Sequence, residues 1–188
     1  MGQAMAFFSV VKKTVLAAVL LLASAFLYTL AAKRYGAVTP PAMAAPAFQA
    51  DMIVVGKTQR SMRLLQNGRT IREYRVSLGG NPVGHKEREG DERTPEGRYL
   101  IDWRNKKSMA YLSLHISYPA PADTARAAAA GESPGGNIMI HGMVNGWGFV
   151  GSLHRLWDWT DGCIAVTNEE MREIWSLVPD GTPIQIDG

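Results

Sequence analysis

Apolar positions along the chain form one long unbroken run and then many short ones. Thr14 to Ala32 contains no charged residue and is rich in Leu, Ala and Val. As a helix rising about 1.5 Å per residue it would reach roughly 28 Å, close to the thickness of a hydrocarbon core. It has no polar face, which argues against a buried helix of a soluble domain. Residues 35–50 are uncharged and rich in Ala and Pro, the composition of a linker.

From residue 51 the pattern becomes that of short strands. Met52 to Val55 is a brief apolar run. Met62 to Gln66 and Thr70 to Ser77 flank Asn67-Gly68, a dipeptide favoured in tight hairpins. Gly97 to Trp103, Tyr111 to Ile116, Asn137 to Ile140 and Thr182 to Ile186 are further strand candidates. One helix is strongly marked. Thr167 and Glu170 fit a capping box, and Met171, Ile174, Trp175 and Val178 then recur on one apolar stripe until Pro179. Four alanines favour a second helix over Asp123 to Ala130. The expectation is an α+β domain, mainly β with packed helices, spanning residues 51–187.

Charge sharpens this division. The first fifty residues contain no Asp or Glu, and Lys12, Lys13, Lys33 and Arg34 bracket the apolar run. Residues 1–34 therefore read as a signal anchor or signal peptide. The anchor is favoured because the run exceeds the roughly 7–15 residues of a cleavable core. Basic residues on both sides leave orientation open. The formal charge of +3 resides largely in that segment, so the remaining domain is near neutral and a poor candidate for nucleic-acid binding.

Cys163 is the single cysteine, which excludes an internal disulfide and leaves one thiol to explain. It lies in Thr160-Asp161-Gly162-Cys163-Ile164, just ahead of the marked helix. Gly162 permits a positive φ or close backbone approach. Such a turn can present a sulfur beside backbone N–H donors, as a thiol nucleophile with an oxyanion hole requires. His141, ending an apolar strand before Gly142, is the leading candidate base among His85, His115, His141 and His154. His115 reads as structural, His85 belongs to a charged loop, and His154 is placed to line a cleft. Trp147, Phe149, Trp157 and Trp159 cluster between His141 and Cys163, either as a groove wall or lid or as an aromatic patch packing that loop. A metal site built from Cys163, His141 and His154 lacks any short-range ligand spacing.

Ile140-His141-Gly142 followed by Thr160-Asp161-Gly162-Cys163-Ile164 resembles the signature of the L,D-transpeptidase (YkuD-type) catalytic domain. Gly90 to Tyr99 is similar to that family's upstream G-D-x-x-T-P-x-G-x-Y stretch, and Gly181 to Ile186 to its closing strand. The resemblance implies a β-sandwich-like fold, an extracytoplasmic location and peptidoglycan stem peptides as partners, with no metal or other cofactor. It implies Cys163 as nucleophile, His141 as base, and Gly142 orienting the imidazole. It also implies amides around Asp161, Gly162 and Cys163 as oxyanion donors. Trp147, His154, Trp159 and Thr160 are expected along the groove. Membrane contact is expected through residues 14–32.

Two positions depart from the family pattern. Asp161 stands where His is common, as a partner for the imidazolium or as a solvated turn residue. Ala165 stands where many members carry Arg. The second departure opens transfer against hydrolysis of the acyl-enzyme, or release of a wall-linked protein.

Overall fold

A computed structural model describes residues 2–35 and 38–188; residues 36 and 37 of the expected linker lie outside these. The element order is α1 (Gly2–Tyr35), β1 (Met52–Gly56), β2 (Ser61–Gln66), β3 (Arg69–Arg75), β4 (Gly97–Asn105) and β5 (Ser113–Ile116). It continues with α2 (Pro121–Ala129), β6 (Met139–His141), β7 (Ile164–Ala165), α3 (Asn168–Leu177) and β8 (Pro183–Asp187). Short 3-10 turns cover Pro46–Phe48 and Gly148–Leu156.

The strands make one mixed sheet in the order β3-β2-β1-β8-β4-β5-β6-β7. The β2–β3 hairpin turns at Asn67-Gly68, where both residues have positive φ, as a tight hairpin turn needs. β8 returns to pair parallel with β1 and antiparallel with β4, so the closing strand sits mid-sheet. The far edge is not left open. Beyond β3 the chain bridges Ser77 to Ala165 and Gly79 to Thr160, so the sheet curls into a half-barrel. That curl brings the Thr160–Cys163 turn against the segment after β3.

Inward residues alternate as the pleat demands: Ile53 and Val55, Met62 and Leu64, Ile184 and Ile186 are all buried. α3 begins with the expected reciprocal cap. The Thr167 hydroxyl accepts the Glu170 N–H at 3.3 Å, and Glu170 Oε2 accepts the Thr167 N–H at 2.9 Å. Met171, Ile174, Trp175 and Val178 are buried in the core, each contributing on the order of 1.5–3 kcal/mol relative to exposure. α2 forms close to its expected bounds, capped by the Asp123 carboxylate on the Ala120 N–H at 2.9 Å.

Residues ahead of β1 are strapped onto the domain. The Ala44 and Ala50 amides donate to Ser176 and Leu177 carbonyls, and Arg172 reaches the Thr39 carbonyl at 3.4 Å. α1 stands apart from the core. Its large apolar side chains from Val11 to Leu30 are exposed, and it meets the domain near Gly146 and Trp147.

Candidate active site

The turn before β7 is tied down through Trp159, Thr160 and Gly162. The Leu78 carbonyl accepts the amides of Trp159 and Thr160, and the Thr160 carbonyl accepts the Gly80 amide. The Thr160 hydroxyl accepts the Gly162 N–H at 3.3 Å and donates to the Cys163 carbonyl at 2.7 Å. Thr160 is therefore buried inside the turn and is not exposed on the groove wall as expected, because its hydroxyl closes the turn. Gly162 has φ +115°, and a Cβ there would lie 2.5 Å from the Arg93 carbonyl oxygen. Only glycine meets both conditions.

Arg93 is delivered by the Gly90–Tyr99 stretch. The Asp91 carboxylate takes N–H groups from Glu87, Arg88 and Arg93 and the Lys86 ammonium at 2.8 Å. Burial opposes its ionisation, but Lys86 and the three amides prevail and hold its pKa at about 2. This stretch is a structural clamp behind the turn.

His141 ends β6, buried, with Nδ1 2.6 Å from the Gly142 carbonyl. A carbonyl only accepts, so Nδ1 carries the proton and Nε2 keeps its lone pair. Burial lowers the imidazole pKa, and the Gly142 bond offsets part of that. β6 and β7 are parallel, with Ile140 opposite Ile164 and His141 opposite Ala165. Ile140 and Ile164 face the core, so Cys163 and His141 project together from the other face. Strand neighbours lie about 4.8 Å apart, making the two side chains diagonal neighbours.

The Cys163 sulfur is turned toward the Asn137 carbonyl at 3.6 Å, and among the described residues no hydrogen bond joins it to His141. Burial pushes the thiol up to about 11. The Met139 amide pulls it down, the Asp161 charge raises it and the Lys86 charge lowers it. Thiol and imidazole are thus both neutral near pH 7.

Two cavities flank them. On the His141 side, about 500 Å³ is lined by Met143, Val144, Trp147, His154, Trp157 and Trp159, among others. Trp159 meets His141 edge-on at 5.8 Å and His154 at 6.4 Å. His154 is buried against Ser77 (Nδ1 to Oγ 3.0 Å), and burial, then Arg155, lowers its pKa to about 4. On the Cys163 side, about 540 Å³ is lined by Lys86, Glu89, Ser133, Gly135, Asn137 and Asp161. Asp161 is exposed there, a turn residue at the cavity rim.

The remaining histidines have structural partners. His115 pairs with Asp102 at 2.6 Å and stacks on Trp103, and His85 Nδ1 accepts the Glu96 N–H at 3.0 Å. Among the described residues no group of three or more His, Cys, Asp or Glu side chains is arranged to hold a metal ion. Two residues escape sequence reasoning. Asn137, at φ +55°, faces the thiol with its carbonyl, and Asn168 Oδ1 accepts the Met143 N–H at 2.8 Å, bracing the turn after His141. Asn137 had a weak signal in the Gly135-Gly136-Asn137 run; Asn168 had none beyond its place at the start of α3.

A curled α+β sheet with a thiol and an imidazole on one face of adjacent strands defines the class. Residues 50–186 match the model of the YkuD L,D-transpeptidase catalytic domain, and the chain belongs to that family. Its fold is similar to the helical cell shape determining protein Pgp2 of Campylobacter jejuni, with 24% identity and a TM-score of 0.56. That match covers 73% of this chain and 47% of Pgp2. Bd1075 of Bdellovibrio bacteriovorus gives 23% identity and a TM-score of 0.51, over 77% of this chain and 50% of its own. The chain thus spans about half the length of these solved relatives. No curated protein is significantly similar to it in sequence.

Proposed function

We propose that this chain is a membrane-anchored L,D-transpeptidase that works on peptidoglycan stem peptides through a Cys163 acyl-enzyme. The observation that carries the reading is the shared face of Cys163 and His141, with His141 Nδ1 held by Gly142 so that Nε2 is the free base. Family membership supports the substrate class.

In this reading the donor is the bond between the third residue and the terminal D-alanine. His141 Nε2 takes the thiol proton as sulfur attacks the carbonyl carbon. The Gly162 amide is engaged by Thr160, so the Asp161 and Cys163 amides are the donors assigned to the oxyanion. Collapse breaks the C–N bond, the imidazolium returns its proton to the leaving amine, and a thioester remains. An amine acceptor then gives a cross-link. Because both groups rest neutral, proton transfer accompanies attack. The domain is taken as residues 51–187, held outside the cytoplasm by α1. Val11–Ala32 supports that location, being long and apolar enough to cross a bilayer.

Hydrolysis is the second reading, favoured by Ala165. Where many members carry Arg, this residue is fully buried and bonded through its backbone to Ser77. No cation extends from that position to grip a carboxylate of the peptide. Detachment of a wall-linked protein would follow the same hydrolytic course. The similarity to a protein described as determining cell shape fits wall remodelling by either route.

The test is the product formed from a disaccharide tetrapeptide by the purified protein. Cross-linked dimer supports transfer and tripeptide supports hydrolysis. Neither product, or activity that survives Cys163→Ala, refutes the covalent mechanism.

A further inference from the structure

The stretch Phe149 to Trp157 is unusually apolar on its outside. Phe149, Leu153, Leu156 and Trp157 are 57–78% exposed, more large apolar side chains than any other stretch of the described domain exposes. Leu153 and Leu156 stand three apart, the repeat of a 3-10 helix, and so share an edge. A few residues ahead of this stretch, Asn145 holds the Lys106–Met109 loop, which presents Lys106, Lys107 and an exposed Met109. This loop is fixed next to Gly146 because Asn145 donates to the Ser108 and Met109 carbonyls.

The same face meets the end of the apolar helix. The Tyr28 hydroxyl donates to the Gly146 carbonyl at 3.1 Å, and Trp147 Nε1 donates to the Thr29 hydroxyl at 3.0 Å. Tyr28 and Thr29 belong to the last turns of Val11–Ala32. The strap leaves little slack. Thr39 is already tied to Arg172 of α3, and the four steps from Tyr35 to Thr39 extend at most about 14 Å.

We propose that Phe149–Trp157 and the Lys106–Met109 loop lie in the interfacial layer of the bilayer that α1 crosses, so that the cleft operates against the membrane surface. Apolar side chains ended by a tryptophan suit the boundary between headgroups and chains, and adjacent lysines suit anionic headgroups. The partner is the lipid surface itself. This placement rests on α1 spanning the membrane and is independent of which product the thiol forms.

The full chain is reconstituted into phosphatidylcholine–phosphatidylglycerol vesicles whose acyl chains carry bromine close to the headgroup end. Tryptophan emission should be quenched, from Trp147 beside Thr29 as well as from Trp157, and Trp157→Phe should remove the share that Trp147 does not supply. Phe149→Trp should add a second quenched emitter. Unchanged quenching in Trp157→Phe, together with an unquenched tryptophan at 149, would mean that water or another protein covers the patch, and would overturn the proposal. Carbonate extraction separates the two readings: release of the chain from the vesicles overturns the anchor and this placement with it, whereas retention without quenching overturns the placement alone.

Discussion

The side of the cleft that carries His141 is aromatic and dry, whereas the side that carries Cys163 is made of loops lined with charge. Trp159 packs edge-on to both His141 and His154, and burial lowers the pKa of both histidines. Across the cleft, Asp161 and Lys86 act on the thiol with opposite signs, and a backbone carbonyl is its hydrogen-bond acceptor. The difference teaches how one site keeps two titratable groups neutral. The apolar wall disfavours the imidazolium; the half-buried sulfur is disfavoured as thiolate by desolvation, with Asp161 and Lys86 acting on it in opposite senses.

The largest expected effects come from removing either partner. Cys163→Ala or His141→Ala should each lower turnover of a tetrapeptide by about 10³-fold or more, and combining them should cost little beyond one alone, because they act as a unit. Product chromatography checks this, and additive losses would break the pairing of the two walls.

Next is the pH response of the thiol. A group whose pKa is raised to about 11 is protonated throughout the neutral range, and its thiolate fraction grows about tenfold per pH unit below that value. Alkylation of Cys163 by iodoacetamide, followed by mass spectrometry, should therefore rise about 100-fold from pH 7 to pH 9. A plateau beginning near pH 6 would signify a preformed thiolate–imidazolium pair instead.

Gly162→Ala probes the turn that joins the walls. With φ at +115° and the Arg93 carbonyl 2.5 Å from the added carbon, it should destabilise the domain by about 2 kcal/mol. The urea midpoint should fall accordingly, while an unchanged midpoint would show that the turn tolerates a side chain.

On the aromatic wall alone, Trp159→Ala should reduce kcat by about tenfold, the scale of one lost edge-on contact that orients the imidazole. The smallest effect belongs to the charged wall. Asp161 raises the thiol pKa, so Asp161→Asn should speed alkylation of Cys163 by about twofold at fixed pH, while Lys86→Gln slows it. A change in the reverse sense would place Asp161 on the imidazole.

The chain itself declared a good deal of this. The capping box at Thr167 and Glu170, the Asn67-Gly68 hairpin and the stripe from Met171 to Val178 are local devices, and each formed where its spacing required. Cys163 was legible as a candidate because it is the single thiol, and His141 as the leading one of four candidate histidines. Other features depend on pairing between distant segments. β7 is two residues long and exists through its ladders to β6 and to Ser77. The inward turn of Thr160, the carbonyl of Asn137 facing the sulfur, and the brace from Asn168 arise from the same closure of the half-barrel. Sequence fixes residue chemistry and short-range hydrogen bonds because neighbours in the chain are neighbours in space. Which backbone groups meet across a curled sheet, and how dry each wall of the cleft becomes, is decided by the packing of the whole.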